Sequence, residues 1–151
     1  MASLDRRNFL ALAAAAPAAP AARPRTTELQ KMIDACAVHG GGTVVIPPGR
    51  HVTGTLRLRS NVRLWLDAGA VLEGSRDLAN YPVLPGSFRG YTDNYTDKSL
   101  IFAEDAAQVS IEGRGTIDGQ GAAFKGPYKV RPYMIRMIRC RNVAITDVTI
   151  R

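Results

Sequence analysis

Residues 109–121 read VSIEGRGTIDGQG, and residues 143–151, VAITDVTIR, echo them. Each stretch holds two short β-prone runs, Val-x-Ile and then Thr-Ile or Val-x-Ile, with only a few residues between. Such connectors are too short for a helical crossover between neighbouring parallel strands, and no two-residue hairpin signal separates the runs. Short strands with tight bends predict a coil of parallel β rungs, an architecture that offers extended surfaces to long polymers. The competing architecture is a β-sandwich with irregular hairpins.

The same phrase recurs upstream. Asn61-Val62-x-Leu64, Gln108-Val109-x-Ile111 and Asn142-Val143-x-Ile145 share one pattern, separated by long insertions, as in a solenoid with loops inserted between rungs. The polar residue before each Val is expected at a bend, its amide bonding the backbone of adjacent rungs as stacked Asn and Gln ladders do. The Val and the Ile or Leu are expected to point inward. Further β runs are predicted at 43–46, 56–58, 62–66, 70–72, 99–103, 116–117, 133–138 and 148–150, bounded by turn residues such as Pro47-Pro48-Gly49 and Ala68-Gly69. Residues 75–98, with Tyr81, Tyr91 and Tyr95, and residues 119–132, with Lys125, Lys129 and Arg131, lack periodicity. Long loops inside a compact domain are often functional.

One helix precedes the strands. Leu29, Met32, Ile33, Cys36 and Ala37 recur at helical spacing, which predicts a helix over 28–38. Thr27-x-x-Gln30 reads as its capping box, and Gly40–Gly42 as its stop. Its apolar face is expected to cover the exposed end of the coil's core and to block edge pairing there.

Residues 1–22, MASLDRRNFLALAAAAPAAPAA, stand apart. Arg6-Arg7, an apolar Ala/Leu run and small residues at the end have the order of an export leader, and RR-x-F-L resembles a twin-arginine signal. The expectation is a leader at 1–22, a single domain over 23–151, recognition by the twin-arginine translocase, and a periplasmic or secreted product. The apolar run is too short to span a membrane. The chain carries 20 Lys+Arg against 13 Asp+Glu, a net charge of +7. That balance suits acidic partners. The cations are scattered rather than clustered, which argues against nucleic acid. Cys36 and Cys140 fit no zinc spacing and read as two buried thiols, although an exported protein permits a bridge.

Several phrases resemble a known family. Thr26-Thr27-x-x-Gln30, Ile33–Cys36, Gly40–Val44 and Pro47-Pro48-Gly49 are similar to the N-terminal cap of pectin-degrading β-helix enzymes. Gly113-x-Gly115-Thr116-Ile117-Asp118-Gly119-Gln120-Gly121 is similar to a phrase of glycoside hydrolase family 28, the polygalacturonases. Arg131-Pro132 and Cys140-x-Asn142-Val143 fit the same family. The cap is shared with pectate-lyase-like relatives; the GRGTIDGQG phrase is more specific. The resemblance covers 26–151 and implies an all-β, right-handed parallel β-helix of the pectin-lyase type, incomplete here, with an N-terminal capping α-helix. It implies an N-terminal portion of a secreted enzyme that hydrolyses galacturonide bonds in pectin with inversion and without a cofactor or metal. Inverting hydrolysis needs one carboxylic acid to protonate the leaving oxygen and one carboxylate to activate water.

The family places these aspartates in Asn-x-Asp and Asp-Asp motifs, followed by Gly-His-Gly and Arg-x-Lys. None of these occurs in this sequence. No catalytic residue is therefore expected in this chain, and the portion by itself is expected to be inactive. His39 and His51 match none of the motifs, and the resemblance makes Asp118 a structural turn. The candidate substrate-binding residues are Lys125, Lys129 and Arg131, since cations suit carboxylates and Arg binds them bidentately. A monomer is expected. Two alternatives stay open: a non-catalytic β-helix that binds acidic polysaccharide, and a calcium-dependent lyase, for which the scattered carboxylates offer no hard-cation cluster.

Overall fold

The computed structural model describes residues 23–89, 95–125 and 130–151. The expected leader at 1–22, residues 90–94 and residues 126–129, with the Lys129 candidate, lie outside the described residues. Helix α1 spans Thr26–Val38 and buries Leu29 and Ile33. The capping box does not form: Arg25 is the N-cap residue and no side chain caps the helix. The Gln30 amide is engaged elsewhere. Its Oε1 accepts from the Arg57 N–H at 2.8 Å, and its Nε2 donates to the Arg57 carbonyl at 3.0 Å. Thr26 Oγ1 likewise accepts from the Gly54 N–H at 2.7 Å. A strand backbone offers an amide two matched partners at once, so these side chains dock the helix on the coil rather than cap it.

Eleven strands follow among the described residues: β1 Gly42–Ile46, β2 Gly49–Thr53, β3 Leu56–Arg57, β4 Val62–Leu66, β5 Ala70–Gly74, β6 Ser99–Glu104, β7 Ala107–Gly113, β8 Thr116–Asp118, β9 Tyr133–Ile138, β10 Arg141–Thr146 and β11 Thr149–Ile150. They form three sheets, ordered β1-β4-β7-β10, β2-β5-β8-β11 and β3-β6-β9. Every pairing is parallel. Each circuit of the chain lays one strand in each sheet, and the next circuit stacks on it. The sandwich is excluded, because it would require antiparallel partners.

The core is a set of stacked columns. Val44, Leu64, Ile111 and Ile145 are in register in the first sheet. His51, Leu72, Ile117 and Ile150 are in register in the second, and Leu56, Ile101 and Ile135 in the third. Burying each interior Leu or Ile contributes roughly 1.5–3 kcal/mol. Strand β2 is an addition to the predicted elements. It escapes a hydrophobic reading because its inward residue is His51, whose Nε2 donates to the Pro47 carbonyl at 2.8 Å while Nδ1 accepts from Arg25 Nη1 at 3.2 Å.

The bends explain the opening phrase. Gly113 has φ +121°, and a Cβ there would stand 2.0 Å from the Leu66 carbonyl of the preceding rung. Only glycine lets the two rungs approach. Asn61, Gln108 and Asn142 do sit at a common bend, with φ of 64°, 58° and 51°. The expected amide ladder is absent: all three are exposed, and what they share is a left-handed backbone, which Asn adopts more readily than most residues. The two thiols need a similar correction. Cys36 and Cys140 are free and half-buried rather than buried, one on the capping helix and the other between β9 and β10.

Candidate substrate-binding face

Residues 75–98 lead from β5 to β6, and 119–132 from β8 to β9. Both therefore leave the second sheet and enter the third at the same corner of successive rungs, so the loops are stacked. Tyr81 meets Phe124 edge to face, ring centroids 6.2 Å apart, and Arg76 Nε donates to Gln120 Oε1 at 2.9 Å. Tyr81 is an anchor rather than a ligand-facing group. It is buried, its hydroxyl donates to the Ser75 carbonyl at 2.7 Å, and burial, with the Glu73 carboxylate second, pushes its pKa well up.

Lys125 and Arg131 are both exposed on the 119–132 loop, Arg131 lying alongside Gly121. The structure does not bring them into contact with each other. Asp118 stands where that loop begins. Its Oδ1 accepts from the Gln120 N–H at 3.0 Å and its Oδ2 from Arg151 Nε at 2.9 Å. Partial burial raises its pKa, but the Gln120 N–H and the Arg151 guanidinium outweigh that and hold it below the ordinary value. Asp118 is thus an ionised turn-former. A general acid needs a raised pKa, so it is unsuited to that role.

Sequence reasoning missed the residues that tie the first loop down. Arg136 of β9 is 5% exposed. It donates from Nη1 to the Leu84 carbonyl at 2.9 Å, and Nη1 lies 3.5 Å from Asp97 Oδ1. Asp97 also pairs with Arg89, and the Ser87 N–H donates to Glu104 Oε1 at 2.7 Å. The signal was available: an arginine inside the apolar run Tyr133–Ile138 must have partners. Among the described residues no group of three His, Cys, Asp or Glu side chains could hold a metal ion, and no helix is long and apolar enough to cross a membrane.

Parallel rungs in three sheets, a helical lid on the first rung and stacked loops at one corner define a right-handed parallel β-helix of the kind found in polysaccharide-degrading enzymes. No family model matches the chain. In sequence it is 36% identical over 124 residues to a Vitis vinifera protein named "Probable polygalacturonase", covering 74% of this chain and 25% of that protein. It is also 36% identical over 110 residues to a Ralstonia solanacearum polygalacturonase, covering 68% of this chain and 20% of that one. In fold it matches the family 28 exopolygalacturonase of Yersinia enterocolitica with a TM-score of 0.68 at 23% identity, over 83% of this chain and 31% of that one. Glycoside hydrolase family 28 is thus the family that this chain resembles in sequence and in fold. The chain spans about a quarter or less of the curated relatives it matches.

Proposed function

We propose that this chain supplies scaffold and binding face to a galacturonan hydrolase that acts on pectin by inverting cleavage. The observation that carries the reading is the pair of stacked loops with exposed Lys125 and Arg131, set on a coil whose sequence relatives are named polygalacturonases. Cations held on loops above a rigid stack suit a polymer that carries a carboxylate on every sugar. The chain has no Asp-Asp or Asn-x-Asp pair, so binding and not cleavage is the activity assigned to these residues. Lys129 extends the same cationic loop in sequence, Arg6-Arg7 would direct export through the twin-arginine translocase, and the product would act outside the cytoplasm as a monomer.

Native gels cast with polygalacturonate test the reading. The chain should be retarded in polygalacturonate and not in neutral dextran, and retardation should fade with added salt. Lys125→Ala with Arg131→Ala should weaken binding about 3- to 10-fold. Equal mobility in both gels would remove the reading.

A further inference from the structure

We propose that the exposed ring of Tyr95, backed by Tyr133, is a platform on which a pyranose ring stacks, and that Arg136 is the residue that positions it. The acidic character of the sugar rests on the function proposed above; the platform itself does not.

Tyr133 opens β9, and its N–H donates to the Lys98 carbonyl at 2.9 Å, which sets its backbone in the stack. Tyr95 lies against it, ring centroids 4.7 Å apart and tilted by 59°, yet remains 50% exposed. The contrast with Tyr81 of the same loop is informative. Tyr81 turns into the core, whereas Tyr95 keeps a large part of its ring in water beside a second tyrosine. Exposing a ring in this way forgoes the stabilisation that burying it would bring. A pyranose suits such a surface. One face of the sugar carries only C–H bonds and packs on an aromatic ring, while its hydroxyls and any carboxylate stay at the rim. An exposed cation is close at hand in Arg131, two residues before Tyr133, while the buried Arg136 places its guanidinium carbon 5.9 Å from the Tyr133 ring centroid.

Arg136 is buried, so it positions the platform and does not meet the sugar. Its bond to the Leu84 carbonyl and its pairing with Asp97 tether the loop on the N-terminal side of Tyr95 and on its C-terminal side. Tethers on both sides of Tyr95 restrict where its ring can go, which lowers the entropy cost of binding. Lysine keeps the charge but not the longer, planar guanidinium that reaches both Leu84 and Asp97 and lies beside the Tyr133 ring.

The test titrates the full chain with trigalacturonate and, separately, with neutral galactotriose, using calorimetry. Tyr95→Ala should weaken trigalacturonate about 5- to 10-fold, while Tyr95→Phe stays within about twofold, with thermal melts matching the parent. Arg136→Lys should weaken binding several-fold in the parent and add nothing in the Tyr95→Ala background, a coupling that general destabilisation would not produce. Trigalacturonate binding that is equal in the parent and Tyr95→Ala overturns the platform and leaves the galacturonan reading standing. Tyr95-dependent binding of galactotriose alone supports the platform and removes the acidic reading. Binding of neither sugar overturns both.

Discussion

The first and the last described rungs carry the same kind of phrase in different surroundings. At the first rung, α1 lays Leu29 and Ile33 over the core, and Val44 and Ile46 are buried. At the last described rung, Val143, Ile145 and Ile150 are 39%, 42% and 45% exposed. Between the ends, the matching Val62, Leu64, Val109 and Ile111 are fully buried. One sequence phrase thus has two environments. Burial in a parallel coil comes from the layer above as much as from the residue itself, so equal substitutions should differ in effect according to the rung that carries them.

The largest difference should come from the core column. Ile111→Ala removes a side chain enclosed by rungs on both sides and should cost about 3–4 kcal/mol. Ile145→Ala, one rung on in the same column, should cost about 1 kcal/mol or less, because water already reaches the side chain. Urea unfolding of the full chain, followed by the single Trp65, measures both. Equal losses would mean that the last described rung is covered in solution and that the two rungs share one environment.

A smaller effect sharpens the comparison by ignoring it. Backbone strain at the shared bend is local, so its cost should not depend on rung. Gln108→Val and Asn142→Val each place a β-branched residue at positive φ and should each cost about 1–2 kcal/mol. The corresponding Gly variants should remain within a few tenths of the parent. The same unfolding series reports it. A Val penalty at Gln108 that greatly exceeds the one at Asn142 would show that packing, not conformation, sets the bend.

The alternation of apolar residues made most of the coil legible, because inward columns of a parallel stack are filled by Val, Ile and Leu. Where the inward residue is polar, the signal vanishes: β2 hides behind His51, whose acceptability depends on Pro47 and Arg25. The capping box misled for a related reason. Thr27-x-x-Gln30 is a local pattern, while the partner that claims Gln30 is the Arg57 backbone, 27 residues away. The loops were legible as loops. That they share one corner follows only from the sheet order, and the buried Arg136 that tethers one of them is a tertiary fact.

The smallest effect separates the interior from the edge by charge. In the second sheet, Arg50 pairs with Glu73, whose carboxylate is buried, and Arg151 pairs with Asp118 one rung beyond. Arg151 is largely exposed, so Arg151→Ala should cost less than about 1 kcal/mol and should cost less still in high salt. Glu73→Ala empties a buried position beside the half-exposed Arg50 and should cost more. For Asp118 the sign follows from its lowered pKa: the unfolded chain binds the proton more tightly than the folded one. Its contribution is therefore present above the ordinary aspartate value of about 3.9 and fades as pH falls through the lower folded value. Asp118→Asn should be slightly less stable than the parent at pH 7, and the gap should narrow as pH falls below the ordinary aspartate range. A gap that persists in acid would show that the Gln120 N–H, which Asn can also satisfy in part, matters less than the shape of the turn.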